Sequence, residues 1–347
     1  MIDTDTPIQA PDMAGSADDR SFGPRRRFLL LAGSATVAMG LAACGGSNDS
    51  TPTPTPTSTV TPTPSPTATS TVALDVDYLN FALQLQYLVA QYFVFATTGT
   101  GVEAIPASST LPGGGAALLT GTGTKGNVTG GAQVTFTDVV LGQYAREIAA
   151  GEVALLAFLR SAIGSAAVSA QPNIDISDGI TGGFTRLARA GGYIGPADQF
   201  NPYASELNFL LGAFMLQDVM VSAYIGATPS IANLLYVNAA ADALATKSFH
   251  AAMVRAQLYA RGTAARTATD QLSNARDSFD GASDNDQGVT GNASTANVTP
   301  TNIDGIVFGR TPGQVLNVLY TTSSAVTGGG FYPNGLISTY FKTSAAN

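Results

Sequence analysis

The chain has 347 residues, of which 45% are hydrophobic and only 12% charged, with a formal net charge of -8. That length allows one large domain or two small ones, and the apolar share supports a substantial core. The acidic balance, with no basic patch able to neutralise phosphates, excludes nucleic acid as a partner.

Residues 1–43 read as an export signal outside the fold. Arg25, Arg26 and Arg27 precede Phe28 and Leu29, and an apolar run continues from Leu30 to Ala43. The run is too short and too rich in small residues for a comfortable bilayer span. It resembles a twin-arginine export signal, with Arg25 and Arg26 as the pair. Leu41-Ala42-Ala43-Cys44-Gly45 is similar to a bacterial lipobox, which implies that Cys44 carries lipid and tethers the protein to a membrane. The implied location is the periplasmic side of the cell envelope, and Gly45-Gly46 after the cysteine points to the outer membrane. Cys44 is the single cysteine, so intrachain disulfides and thiolate metal sites are excluded. Residues 44–73 form a linker of Thr, Pro and Ser with repeated Thr-Pro. Such a segment favours extended polyproline II and would hold a domain on the order of 60–70 Å from the lipid if fully drawn out.

The folded part is expected from about Leu74, with Asp77 as N-cap of a first helix that runs to Thr97 and stops at Gly99 and Gly101. A Gly/Thr/Pro-rich stretch over 99–136 reads as a surface insertion. Thr137 or Asp138 caps a second helix ending at Ile163-Gly164. A long connection, 165–203, includes a helical piece at Thr185–Arg189. The third helix covers Ser205 to Ile225, and Gly226 and Pro229 stop it before a fourth that reaches Arg261-Gly262. A long crossover between helices two and three, with a short turn between three and four, predicts an all-α bundle of four helices over 74–262. Residues 263–347 read as a loop-rich C-terminal extension. Within it, Asp277–Gly288 reads as a solvated acidic loop. It fails as a calcium-binding hand, because counting from Asp284 the required Gly and Glu positions hold Val289 and Thr295. Thr311-Pro312 opens a short helix to Tyr320, and the Gly328–Gly335 tail packs on the bundle through its aromatics.

Each long helix places polar side chains on its most apolar stripe at spacings of three and four, and so on one face. Gln86 falls between Leu83 and Ala90, Glu152 between Ile148 and Leu155, and Gln217 between Phe214 and Val221. Lys247 and His250, the single histidine, lie between Ala243 and Val254. Inward polar groups on four helices are how carboxylate-bridged dimetal sites are built, from two Glu and two Glu-x-x-His pairs. Tyr87, Tyr92 and Tyr224 read as bundle packing. No serine has an oriented histidine base, and the glycine-rich stretches lack the strand–loop–Lys context of a phosphate loop.

The segments Leu79–Leu83, Asn208–Phe214 and Asp218–Ala227, with Arg310-Thr311-Pro312 and the Gly-Gly-Phe-Tyr-Pro-Asn-Gly tail, resemble a ferritin-like family of exported bacterial proteins related to desiccation-associated proteins. The resemblance runs from about Asp75 to the C-terminus and implies a ferritin-like four-helix bundle. It also implies ligand positions: Glu where this chain has Gln86, Glu-x-x-His where it has Glu152 and Leu155, Glu where it has Gln217, and Glu-x-x-His where it has Lys247 and His250. Two of six implied ligands remain, Glu152 and His250. One carboxylate, one imidazole and two neutral amides are a poor set for a divalent cation, and an ammonium repels one. Two readings of Lys247 stand: it pairs with Glu152 in a buried network with Gln86, Gln217 and His250, or it runs out to a bundle end.

The expectation is a lipid-anchored envelope protein with a degenerate dimetal site, without a cofactor, in a non-catalytic structural, stress-protective or binding role. The alternative is a metal-dependent oxidoreductase or iron-handling protein that keeps one Fe, Mn or Zn ion at Glu152 and His250. A third reading is an interaction module that works through the insertion and the tail. No particular protein partner or oligomeric state is predicted.

Overall fold

The computed structural model describes residues 71–347; the signal, its Arg25 and Arg26, the lipobox Cys44 and the linker to residue 70 lie outside the described residues. Four long helices form the bundle: α1 (Thr71–Thr98), α3 (Val139–Ile163), α5 (Glu206–Ala227) and α6 (Leu234–Ala260). Helix α1 packs chiefly on α3, and α5 on α6. Shorter helices α2 (Gly114–Leu118), α4 (Gly183–Ala190), α7 (Thr263–Asp280) and α8 (Pro312–Tyr320) surround them. Helix starts follow local chemistry. Asp138 accepts from the amides of Val140 and Leu141, Ser205 from Asn208 and Asn233 from Leu235, while Thr311 and Gln314 close a reciprocal capping box. The segment Glu206–Ser230 is long and apolar enough to cross a membrane, but 83% of its most apolar window is buried inside the protein. An all-round apolar helix is what a central bundle position demands.

Several expectations from the sequence are corrected. Asp77 is not an N-cap: α1 begins at Thr71, since Val72-Ala73-Leu74 continue the helix, and Asp77 accepts from Ser338 Oγ (2.8 Å) and the Tyr340 amide (2.9 Å). The start of the C-terminal extension is not loop but α7, an 18-residue helix set off from α6 by Gly262 at φ 89°. Its buried face is built from Ala265, Ala268, Leu272, Ala275 and Arg276, so it lacks the large apolar stripe that marks the other helices. The Gly/Thr-rich insertion is a structural layer rather than a free surface loop. Its strand β1 (Val128–Gly130) pairs in parallel with β2 (Ile174–Ile176) of the crossover. Tyr87 of α1 donates to the carbonyls of Leu118 (3.1 Å) and Ser169 (3.0 Å), tying both segments to the bundle.

The acidic stretch 277–288 is also only partly solvated. Asp280 is fully buried and Asp286 nearly so, where they meet two buried arginines, one from α7 and one from the segment before α8, while a third from α6 pairs with Asp218. Arg310 donates to Asp280, to Asp286 (2.6 Å) and to Ser222 of α5 (3.1 Å). Arg276 grips Asp286 through two bonds of 2.7 and 2.9 Å and reaches the Phe214 carbonyl at 2.8 Å. Arg255 meets Asp218 at 2.7 Å. Burial alone would raise the Asp286 pKa, but the charges of Arg276 and Arg310 outweigh it and hold this carboxyl well below the usual range. This ionic layer fastens the C-terminal extension to the bundle.

The same layer imposes backbone contact. Gly226 does not end α5, which continues to Ala227; a Cβ at Gly226 would lie 1.9 Å from the Arg310 carbonyl oxygen. Gly226→Ala is therefore expected to lower unfolding free energy by about 2–3 kcal/mol, read from urea denaturation. Asp277 sits on the rim of the layer. Burial, then repulsion from Asp286, lift its pKa from 3.8 to about 7, against the pull of Arg310. A raised carboxyl pKa means that the unfolded chain releases this proton first, so stability from this group declines as pH climbs from 3.8 to about 7. Asp277→Asn is expected to flatten that part of the Tm-against-pH curve; a parallel curve for the variant would contradict the assignment.

Candidate functional site

The five inward polar residues of the bundle converge on one carboxylate. Gln86 comes from α1, Glu152 from α3, Gln217 from α5, and Lys247 and His250 from α6. All are buried, and His250 is the most exposed at 8%. Oε1 of Glu152 accepts from Gln217 Nε2 at 2.7 Å and meets His250 Nδ1 at 2.8 Å. Oε2 accepts from Gln86 Nε2 at 2.6 Å and from the Lys247 ammonium. Gln86 Nε2 also reaches the Glu152 carbonyl at 2.8 Å, so one amide bridges side chain and backbone of the same residue. The Lys247 side chain does not run out to a bundle end; it is fully buried against Glu152.

Local sequence makes this convergence available. His250 lies over Gly151, where a Cβ would come within 3.0 Å of both Cε1 and Nε2 of the ring. A larger residue there would push the imidazole off the carboxylate. Leu155, at the position where the resemblance implies a histidine, is 6% exposed and belongs to the apolar core.

Electrostatics follow from burial and pairing. Burial alone would raise the Glu152 pKa, but the Lys247 charge, followed by the His250 hydrogen bond and charge, overcomes it and keeps the group an anion far below the usual carboxylate range. Burial pulls the Lys247 pKa down, and Glu152 recovers part of that shift. Each member thus favours the charged form of the other. Tyr224 is raised far above its ordinary value by burial and then by the Glu152 charge, so it stays neutral.

Three polar atoms at the site lack hydrogen-bond partners: Gln86 Oε1, Gln217 Oε1 and the Tyr224 hydroxyl. Both amide NH2 groups are committed to Glu152, so neither glutamine can be turned to satisfy its carbonyl. Leaving a buried acceptor unpaired costs about 1–3 kcal/mol, so the arrangement favours the anion at the expense of its neighbours.

A dimetal centre does not fit this donor set. A pair of divalent cations needs several bridging and terminal carboxylates. Here the single carboxylate has both oxygens engaged by protein donors, and a cation already occupies its Oε2. Among the described residues no three His, Cys, Asp or Glu side chains are grouped to hold a metal ion. The arrangement can fix helix register and orient one anion.

A bundle of four long helices with a long second crossover and a polar centre defines the architecture of ferritin-like proteins. The chain belongs to the ferritin-like domain family, whose sequence pattern matches residues 74–260. It is similar to the ferritin-like catalase Nec2 of Nesocodon mauritianus, 27% identical over 277 residues, which is 75% of this chain and 83% of that protein. It is also similar to the desiccation-related protein PCC13-62 of Craterostigma plantagineum, 26% identical over 193 residues, or 54% of each chain. Thus the match spans about half the length of the second relative. No solved structure matches the chain.

The buried arginine–aspartate layer went unread in the sequence, where its charges fall among residues of a solvated type. Arg310-Thr311-Pro312 and Asp218-Val219 were the available signals, since both belong to the segments that carry the family resemblance.

Lys247→Met would strand an unpaired buried carboxylate and is expected to cost about 3–5 kcal/mol of stability. Adding Glu152→Gln should recover most of it. Because the folded pKa of Glu152 is depressed, its stabilisation is full above the ordinary value of 4.5 and is lost as pH falls below it. The wild-type acid limb should therefore be steeper than that of the double variant in denaturation followed from pH 6 to 2. Unchanged stability of Lys247→Met would rule out the ion pair.

Proposed function

We propose that this protein is a ferritin-like fold in which a buried ion-pair network takes the place of the metal pair, and that its role is structural, stress-protective or ligand-binding rather than redox catalysis. The single observation that carries this reading is the Lys247 ammonium seated on the one carboxylate of the bundle centre. An ammonium supplies the positive charge that a buried carboxylate needs and repels any divalent cation from the same oxygen. Similarity to a desiccation-related protein supports a protective role. The Arg25-Arg26 motif and Cys44 support export and a lipid tether at the periplasmic side of the envelope, with the bundle held off the membrane by the Thr/Pro linker.

A second reading is favoured by two observations. A relative at 27% identity is a ferritin-like catalase, and Gln86 and Gln217 each leave a buried carbonyl oxygen without a partner. A mononuclear site of Glu152, His250 and those carbonyls would require Lys247 to withdraw.

Elemental analysis separates the two. The chain is incubated with Fe(II), Mn(II) and Zn(II) in turn and desalted, and bound metal is counted. The proposed reading expects far less than one metal per chain, and Lys247→Gln should raise that number. One or two metals per wild-type chain, abolished by Glu152→Gln, would overturn it.

A further inference from the structure

We propose that the protein carries a binding site for one fatty carboxylate, in a groove between helix α3, the end of α1 and a lip formed by residues 105–111 of the insertion. The groove has a volume of about 460 Å³, a size common among small-molecule sites. Val94, Ile105, Leu111, Val153 and Ala154 give it apolar walls, and Arg146 is its one charged lining residue. None of the five residues of the Glu152 network lines it.

The lip stands without an occupant. The Val102 amide donates to the Gln91 side chain of α1 at 3.0 Å, and the Ile105 carbonyl accepts from the Gly115 amide at 2.9 Å. Gly115 permits that approach, since a Cβ there would lie 1.7 Å from the Val102 carbonyl oxygen. Ser108 and Leu111 close a tight turn through reciprocal backbone bonds of 2.9 and 3.2 Å. Ile105 and Leu111 therefore rest on the core while staying partly open to the groove.

The polar groups of the rim select the occupant. Thr97 and Thr98 donate to carbonyls one turn back in α1, and the Ser108 and Thr110 hydroxyls bond each other. Arg160, one turn beyond the groove on α3, is committed to the Tyr87 hydroxyl at 2.6 Å and the Ala117 carbonyl at 3.3 Å. Arg146 is different: it is exposed, and among the described residues it makes no ion pair or side-chain hydrogen bond, in a chain of net charge -8. Its guanidinium lies over Gly142, where a Cβ would come 3.4 Å from Nη1. The uncommitted cation thus sits at one end of the groove, which follows α3 from Arg146 to Ala157 for roughly 16 Å. An apolar channel with one cation at its end fits an extended alkyl chain that terminates in an anion. A planar guanidinium matches a carboxylate bidentately, and it repels a cationic amphiphile.

The test titrates the full chain with decanoate in a calorimeter. Decanoate is expected to saturate a single site per chain. Arg146→Gln should weaken decanoate about tenfold and leave 1-decanol unchanged. Ala154→Phe, at an exposed position of α3, should fill the groove and abolish binding of both. Circular dichroism checks each variant, and Ala150→Phe, also at an exposed position, takes its place if Ala154→Phe does not fold. A wild-type chain that does not saturate with decanoate overturns the site. Undiminished decanoate binding by Arg146→Gln, or by a folded groove-filled variant, overturns it as well.

Discussion

Everything at the centre of this bundle is arranged around one anion. Glu152 presents two oxygens, and donors from all three other long helices end on them. A lone buried carboxylate is among the most costly groups a core can contain. Once α3 carries one, α1, α5 and α6 each have to deliver a donor at the same height. The two unpaired glutamine carbonyls show which demand prevailed. Satisfying the anion took precedence over satisfying the groups that satisfy it.

The molecule solves the same problem twice with different chemistry. In the bundle centre the countercharge is a single lysine helped by neutral donors. In the peripheral layer it is a set of arginines whose planar guanidinium groups each serve several acceptors at once. Arg255 and Arg276 also lie over the ring of Phe214, at 5.4 and 4.4 Å from its centroid. That contact gives the guanidinium faces an apolar surface to rest on. The arginine layer joins separate segments of chain, whereas the Glu152 site joins helices that already pack against one another.

The bundle was legible in the sequence because its helices use large apolar residues at spacings of three and four, and because Asp138, Ser205 and Thr311 are ordinary helix starters. The five polar residues were legible as a set for the same reason: each interrupts an apolar stripe. Helix α7 was not, since its inner face consists mostly of alanine, with an arginine as its largest buried group. The acidic stretch read as solvated because a sequence shows Asp280 and Asp286 without showing that Arg276 and Arg310 arrive beside them. Asp77 has the residue type of a cap, and only the course of the chain through Thr71–Val76 shows that the helix has already begun. The insertion misled through its glycines. Several are there because another backbone passes close by: a Cβ at Gly126 would lie 2.2 Å from the Asn173 amide nitrogen.

The parallel pairing of β1 with β2 joins the chain just before α3 to the chain just after it. Helix α3 is thereby the span of a closed ring, fastened to itself at the base. A helix free at one end can advance along its axis by a turn and take new neighbours, as some switching proteins do. The pairing brings the two ends of α3 back to one ladder, so that an advance of the helix has to be taken up in both connections at once. The residue that every donor must reach is carried on a long helix whose two flanking segments are hydrogen-bonded to each other.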